Sequence, residues 1–192
     1  MSIFVLELIR RLGVWLIDGM FPLYCLGCGL ERAIACPACL GEIPFAMLGS
    51  DCPMCAAKRS DCVRPCKKCA MTSALSGVVV GFPYANKIVR GLMQRIKFDG
   101  LRVGRSALEV LTRRGIERWE RLLPAGDNVR VVSIPTTARR RRERGYDQTE
   151  WIAEELTRVF KVKMVGNILQ TTGNHRRQSW LASEDRQKNI QG

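Results

Sequence analysis

Four Cys-x-x-Cys pairs constrain the fold of this 192-residue chain more than any other feature of its sequence. Each pair can supply two thiolates from one tight turn, and Zn²⁺ prefers four thiolates in a tetrahedron. Four pairs therefore predict two structural zinc sites. The eight paired cysteines are Cys25, Cys28, Cys36, Cys39, Cys52, Cys55, Cys66 and Cys69.

The short loops between pairs favour a sequential arrangement, with the first two pairs in one site and the last two in the other. An interleaved arrangement stays open, and Cys62 has workable spacing to replace Cys66. Disulfides are disfavoured because the chain shows no secretory signal, and a cytoplasmic protein keeps its thiols reduced. We therefore expect a double zinc ribbon over residues 23–72, to whose folding each zinc contributes on the order of 10 kcal/mol.

Residues 1–22 are apolar but interrupted by charge. Glu7, Arg10, Arg11 and Asp18 break the apolar run, and a spanning helix needs about 20 mostly apolar residues. The pattern predicts an amphipathic helix that packs on the protein, with an interfacial membrane helix as the alternative. Stable membrane insertion is not expected, and the predicted location is cytoplasmic.

The segment Val129–Gln148 carries the second chemical signal. A β-branched strand ends at Pro135, a run of arginines follows, and Gly145 permits a bend before a helix that starts near Gln148. We interpret the run as a guanidinium-rich loop at the carboxyl end of a strand, a natural anion site. A bare arginine run is also typical of a solvated face or a loose nucleic-acid patch. The arginines are Arg139, Arg140, Arg141, Arg142 and Arg144.

The remaining pattern predicts an α/β fold. A strand is expected at 77–84, and helices are expected around Ile88–Ile96 and over 103–121, the latter with Leu108, Leu111 and Trp119 in the core. A helix after Gln148 and a strand at 162–165 complete a βαβ unit, which implies a parallel sheet.

Basic residues are concentrated after the cysteine-rich segment. The chain has 31 basic and 18 acidic residues, of which 8 and 6 lie in residues 1–70, leaving 23 and 12 in residues 71–192. The second part thus carries most of the net charge of +13, and this excess implies an anionic partner such as a polynucleotide or a pyrophosphate-bearing sugar.

Two motifs resemble the ComF family of competence-associated proteins. They are Phe-Pro-x-x-Cys-x-x-Cys-Gly at residues 21–29 and Val-Val-Ser-Ile-Pro followed by Arg-Arg-Glu-Arg-Gly-Tyr-Asp-Gln, which ends at Gln148. Asp147 stands where the family has Asn. The resemblance implies a double zinc ribbon followed by a type I phosphoribosyltransferase-like domain over 73–192, with phosphoribosyl pyrophosphate, accompanied by Mg²⁺, as a possible ligand. The residues that match the ligand motif are Arg140, Arg144, Gly145, Tyr146 and Gln148.

The resemblance also covers the last part of the sequence. Arg186 matches a family segment that belongs to a mobile hood over the active site. Thr171-Thr172-Gly173 lacks the paired carboxylates of a phosphoribosyl-pyrophosphate loop, and we do not assign it that role. We expect the chain to be truncated before that loop, the sheet to be incomplete, and these 192 residues alone to lack transferase activity.

Two functions are therefore expected as alternatives. In the first, Arg140 and Arg144 contact pyrophosphate oxygens of a sugar or nucleotide, and Arg186 closes over that ligand. The resemblance links such a protein to uptake or processing of transforming DNA, with proteins of the competence machinery as possible partners. In the second, the chain is a zinc-stapled single-stranded DNA-binding protein without transferase activity. Its phosphate contacts would come from Lys87, Arg90, Arg95, Lys97, Arg139, Arg141 and Arg142.

Overall fold

A computed structural model describes most of the chain as two compact units, residues 1–124 and 125–192. The predicted boundary between ribbon and transferase-like domain, at residues 72–73, falls inside the first unit. Nearly all of the predicted N-terminal helix, together with Cys62 and Arg186, lies outside the described residues. The described residues are 22–46, 51–55, 57, 64–99, 103–122, 126, 128–166, 168–171, 181–182 and 185.

The described part of the first unit contains cysteine turns, four α-helices and a stretch without helix or strand at 71–86. Two short helices follow cysteines, and two longer helices follow them in the chain. Among the described residues, none of these helices has the length and apolarity needed to cross a bilayer. The helices are α1 (Pro37–Gly41), α2 (Lys67–Ala70), α3 (Lys87–Phe98) and α4 (Gly104–Trp119), the last continuing into a 3-10 turn at Glu120–Leu122.

Helix α3 confirms the predicted amphipathic pattern. The Asn86 side chain caps its start, accepting hydrogen bonds from the amides of Ile88 at 2.9 Å and Val89 at 3.3 Å. Its buried face includes Leu92 and Ile96, both with 0% of their surface exposed. Burial of this stripe, rather than helix propensity alone, holds the helix in place.

Helices α3 and α4 pack closely at Gly104. A Cβ atom built on Gly104 would lie 2.7 Å from Ile96 Cγ1 and 3.2 Å from Leu92 Cδ1, so only glycine permits this approach. The core positions predicted on α4 are all buried: Leu108, Leu111 and Trp119.

The strand predicted at 77–84 is wrong. These residues are described, and none of them is paired in a sheet. The Val80 carbonyl accepts a hydrogen bond from Trp119 Nε1 at 2.9 Å, and the Gly81 carbonyl accepts one from the Ala46 amide at 3.0 Å. The backbone acceptors are thus used by an indole and a loop amide rather than by a neighbouring strand, which is why the β-branched sequence does not form a strand.

The second unit contains the predicted βαβ arrangement in reduced form. Strands β1 (Arg130–Val131) and β2 (Lys163–Met164) pair in parallel, with Arg130 opposite Lys163 and Val131 opposite Met164. Both strands are shorter than predicted. Helix and parallel strand together confirm the α/β class, whereas the phosphoribosyltransferase-like domain stays a prediction.

The predicted arginine loop is wrong, because most of it is helix α5 (Ala138–Arg144). Thr137 caps its start by accepting from the Arg140 amide at 3.3 Å, and Gly145 ends it with a left-handed φ of 75°. Arginine is a good helix former, so a capped arginine run has no reason to stay irregular. Helix α6 (Gln148–Phe160) follows, starting where predicted.

The packing of α3 on α4 gives a stability prediction. Replacing Leu92 with Ala removes a fully buried side chain and should lower the free energy of unfolding by about 2–5 kcal/mol. Val110→Ala, at a position on α4 that is 41% exposed, is the control and should change it by less than about 0.5 kcal/mol. Urea denaturation of both variants measures the difference, and equal effects would contradict the assigned core.

Candidate functional site

The eight paired cysteines form two four-sulfur groups. The first cluster is Cys25, Cys28, Cys36 and Cys39, and the second cluster is Cys52, Cys55, Cys66 and Cys69. Within each cluster all ligand sulfurs lie within 4.8 Å of one another. This confirms the sequential arrangement, and the interleaved one is wrong. The two clusters could hold two zinc ions.

The sulfur spacing fits zinc. Cys28 Sγ and Cys36 Sγ lie 3.8 Å apart in the first cluster, and Cys55 Sγ and Cys66 Sγ lie 3.8 Å apart in the second. A tetrahedral centre with Zn–S bonds of about 2.3 Å places its sulfurs about 3.8 Å apart. Four thiolates at this spacing are the ligand set of a closed, structural site rather than a catalytic one, which keeps a position open for water.

The backbone of the first cluster is arranged around one sulfur. The amides of Gly27 and Cys36 donate to Cys25 Sγ at 3.4 Å and 3.3 Å. The turn is closed by a 2.8 Å hydrogen bond from the Cys25 amide to the Leu30 carbonyl, and Gly29 adopts a left-handed φ of 76° within it. Amide donors stabilise negative charge on the sulfur that a metal would share.

The second cluster repeats this arrangement. The amides of Met54 and Cys66 donate to Cys52 Sγ at 3.5 Å and 3.3 Å, and the Cys52 amide donates to the Ala57 carbonyl at 2.8 Å. In each cluster the third cysteine directly precedes a short helix, α1 or α2. The two clusters are therefore copies of one structural unit, which the sequence indicated through the repeated Cys-x-x-Cys spacing.

Proton affinities differ sharply between the thiols of a cluster. Burial acts to raise the pKa of Cys25, but amide donors from Cys28, Cys36 and Gly27 outweigh it and lower that pKa to about 6. Hydrogen bonds to Cys36 and then Cys28 raise the pKa of Cys39 to about 12. Without a metal, each cluster thus combines an acidic thiol with one that holds its proton at neutral pH.

The second cluster shows the same division. Burial acts to raise the pKa of Cys52, but amide donors, led by that of Cys66, lower it to about 6. Hydrogen bonds to Cys66 and then Cys55 raise the pKa of Cys69 to about 12. Bringing four sulfurs together therefore leaves protons that a divalent cation must displace.

Helix α5 divides the predicted anion-binding arginines between two environments. Arg140 and Arg144 lie one turn apart and are half-buried, and Arg144 Nη1 donates to Gln148 Oε1 at 3.2 Å. Burial, and next the charge of Arg140, lower the pKa of Arg144. The helix thus presents two neighbouring guanidinium groups that repel each other in a partly desolvated place, where an anion would relieve the repulsion.

The other arginines of α5 are more exposed, and two of them are paired. Arg139 Nε lies 2.8 Å from Glu143 Oε1, and Arg141 Nη2 lies 2.8 Å from Glu150 Oε1. Arg142 is exposed as well. Exposed ion pairs are weak, so these side chains can still exchange a carboxylate for a phosphate.

Two other residues of the predicted phosphate motif, Gly145 and Tyr146, have roles in the local fold. Gly145 is the left-handed end of α5. Tyr146 is 7% exposed and stacks on Trp151, with ring centroids 4.3 Å apart. Their predicted ligand contacts stay predictions.

Asp147 is the residue whose importance the sequence interpretation missed. It is 2% exposed and caps α6, accepting from the Thr149 amide at 3.0 Å through Oδ1 and from the Thr136 amide at 2.8 Å through Oδ2. The carboxylate thus joins the segment after β1 to the start of α6. An acidic residue followed three positions later by Glu150 is a capping signature that could have indicated it.

The basic residues predicted to contact nucleic acid on α3 belong to the first unit, whereas α5 belongs to the second. Lys87 and Arg90 are exposed, and Arg95 and Lys97 are half-buried. Their predicted role stays a prediction.

Comparisons of the chain with protein-family models, with curated proteins and with solved structures gave no match. The resemblance to the ComF family therefore rests on the residues quoted for it.

The close packing inside the first cluster gives a metal-binding prediction. A Cβ atom on Gly27 would lie 2.5 Å from Cys39 Sγ, so Gly27→Ala should displace that ligand and weaken zinc binding at the first cluster at least about tenfold. Gly41→Ala is the matched control, because a Cβ atom there meets nothing within 4 Å. Competition with a chromogenic chelator measures both variants, and equal zinc affinity would contradict the described geometry.

The divided thiol pKa values give a pH prediction. Cys39 and Cys69 keep their protons at neutral pH without metal, so zinc binding releases protons and must tighten as pH rises, by about tenfold per pH unit for each proton displaced. Isothermal titration in two buffers of different ionisation heat counts the protons directly. A zinc affinity independent of pH near neutrality would contradict this assignment.

Proposed function

We propose that the chain is a ComF-like competence protein, in which a double zinc ribbon over 23–72 precedes a phosphoribosyltransferase-like domain over 73–192 that binds phosphoribosyl pyrophosphate or a nucleotide. The motifs quoted above carry the family part of this proposal. The pair Arg140 and Arg144 carries the ligand part, because the two half-buried side chains lie one turn apart on α5 and the charge of Arg140 acts on Arg144.

The physical case for a phosphate ligand is that, without an anion, the arginine pair has an unfavourable electrostatic free energy. Both side chains are half-buried, and the pKa of Arg144 is lowered by burial and by Arg140. A phosphate stabilises a partly buried guanidinium that faces a like charge more than it stabilises an exposed guanidinium. Arginine also binds phosphate oxygens in a bidentate manner, which suits pyrophosphate recognition.

The neighbouring polar groups support the same use. Gln148 accepts from Arg144 and sits at the first turn of α6, so it fixes the guanidinium toward that helix start. Asp147 holds the segment after β1 against the same helix start. Mg²⁺ bound with a pyrophosphate sugar would neutralise phosphate charge, and the arginine pair would contact the remaining oxygens.

The second candidate is binding of single-stranded DNA without transferase activity. The observation that favours it is the exposure of basic residues on two helices: Lys87 and Arg90 on α3, and Arg139, Arg141 and Arg142 on α5. Such contacts give salt-dependent binding to backbone phosphates with little sequence preference. The aromatic pair Tyr146 and Trp151 is buried and is not a platform for stacked bases.

Two matched double variants of α5 distinguish these functions. Arg140→Ala with Arg144→Ala removes the half-buried pair, and should weaken binding of phosphoribosyl pyrophosphate with Mg²⁺ about tenfold per arginine, as expected for lost charge-assisted hydrogen bonds. Arg139→Ala with Arg142→Ala removes the same charge from exposed positions and should leave that binding within about twofold. Calorimetry on the full 192-residue chain measures both.

The same variants test the alternative with a fluorescent oligothymidylate. If DNA binding is the function, Arg139→Ala with Arg142→Ala lowers oligonucleotide affinity more than Arg140→Ala with Arg144→Ala does, and the wild-type chain does not bind the pyrophosphate sugar. Equal affinity for that sugar before and after the Arg140 and Arg144 replacement would contradict the proposed ligand site. Zinc content should stay unchanged in every variant, because neither cluster belongs to the second unit.

A further inference from the structure

The two clusters share one ligand geometry but have different surroundings. In the first cluster Cys25 and Cys36 are 4% and 7% exposed, and the loop between them contributes further buried side chains. In the second cluster Cys52 is buried but Cys66 is only half-buried, while in both clusters the second cysteine is exposed and the fourth is half-buried. The buried side chains that accompany the first cluster are Ile34, Ala35, Leu40 and Ile43.

The first cluster is also packed directly against the helical core. A Cβ atom on Gly27 would meet both Cys39 Sγ at 2.5 Å and Ile88 Cδ1 of α3 at 3.1 Å, so the knuckle backbone and α3 are in contact. On the same helix, a Cβ atom on Gly91 would lie 3.1 Å from Leu26 Cδ1. The turn that carries Cys25 and Cys28 thus rests on two successive turns of α3.

Arg114 adds a third connection from α4. Its guanidinium donates to the carbonyls of Leu40, Gly41 and Ile43, at the end of the short helix that follows Cys36. The same guanidinium lies 5.2 Å from the centre of the Phe45 ring and 5.4 Å from that of Phe82. Release of a metal from the first cluster would therefore disturb contacts with both core helices.

The surroundings of the second cluster are different in the residues described. Helix α2, which carries Cys69, contains no buried residue. Met54 and Met71, which flank the cysteine turns, are 49% and 88% exposed.

We propose that the second cluster is an exchangeable zinc site, which loses and regains its metal by local opening of the turn at 51–55 and of the cysteine-bearing residues 64–72, while the zinc of the first cluster is released only when the helical core unfolds. Local opening requires less free energy than global unfolding when few buried apolar contacts are broken. The ligand is Zn²⁺, and the proposal rests on the zinc assignment of both clusters and is independent of the proposed anion ligand.

Chelation of the zinc-loaded full chain tests this ranking. With excess 4-(2-pyridylazo)resorcinol, one equivalent of zinc should leave at least about tenfold faster than the other, as expected for local rather than global opening. During the fast phase, amide protection in α3 and α4 should persist. Iodoacetamide added after that phase should label Cys52, Cys55, Cys66 and Cys69, while the cysteines of the first cluster stay unlabelled.

Two matched variants assign the phases independently. Cys55→Ser should abolish the fast phase and leave the melting temperature of α3 and α4 unchanged. Cys28→Ser, at the equivalent exposed position of the first cluster, should lower that melting temperature or prevent folding. Because the labelling experiment uses the wild-type chain, the test does not depend on the folding of Cys28→Ser.

Three results would overturn the proposal. Equal release rates for the two zinc ions would refute the ranking, and so would early labelling of the first cluster. Loss of amide protection in α3 and α4 together with the first equivalent would refute local opening. A wild-type chain that binds fewer than two equivalents would refute the metal assignment, a result distinct from any failure to bind a pyrophosphate sugar.

Discussion

The requirement that four sulfurs lie within 4.8 Å of one another governs the first unit. Four thiolates at these sulfur distances repel each other, so some of the thiols stay protonated unless a divalent cation neutralises the charge. The chain meets this requirement twice with the same turn, in which amides point at the leading cysteine of each cluster. Because short loops between cysteines bury little apolar surface, metal coordination supplies stability that packing does not.

The long helices of the first unit depend on that turn through Arg114. One guanidinium lies near two aromatic rings and donates to carbonyls at the end of a five-residue helix. The cysteine turn, α3 and α4 are consequently connected by packing at glycine positions and by this one side chain. Nothing comparable joins the described residues of α2 to a core helix in the hydrogen bonds found for that helix.

The sequence predicted the features that follow from local rules. Regular cysteine spacing gave the ligand sets, and helical periodicity gave α3 with Leu92 and Ile96 inside. It failed where a distant group decided the outcome. The valines after Gly77 have strand propensity, yet the Trp119 indole and the Ala46 amide use the backbone acceptors at Val80 and Gly81.

For the candidate anion-binding arginines the sequence pattern predicted a loop, where the structure has helix α5. The residues that meet, Arg140, Arg144 and Gln148, were all identified, because their spacing is set within one short segment. Their conformation was misjudged, since a run of arginines is both a common loop and a good helix. The cap residues Thr137 and Gly145 mark the start and end of the helix. The loop prediction gave more importance to the arginines between them than to these two caps.

Asp147 has a consequence for the chemistry of this position. Both of its oxygens accept from backbone amides, one from Thr136 and the other from Thr149. An asparagine has only one acceptor oxygen, so its NH₂ group would face a second N–H and two donors would oppose each other. Asn at this position would therefore leave one of the two amides, that of Thr136 or that of Thr149, without this acceptor. The second carboxylate oxygen is thus the atom through which one side chain joins the segment after β1 to the start of α6.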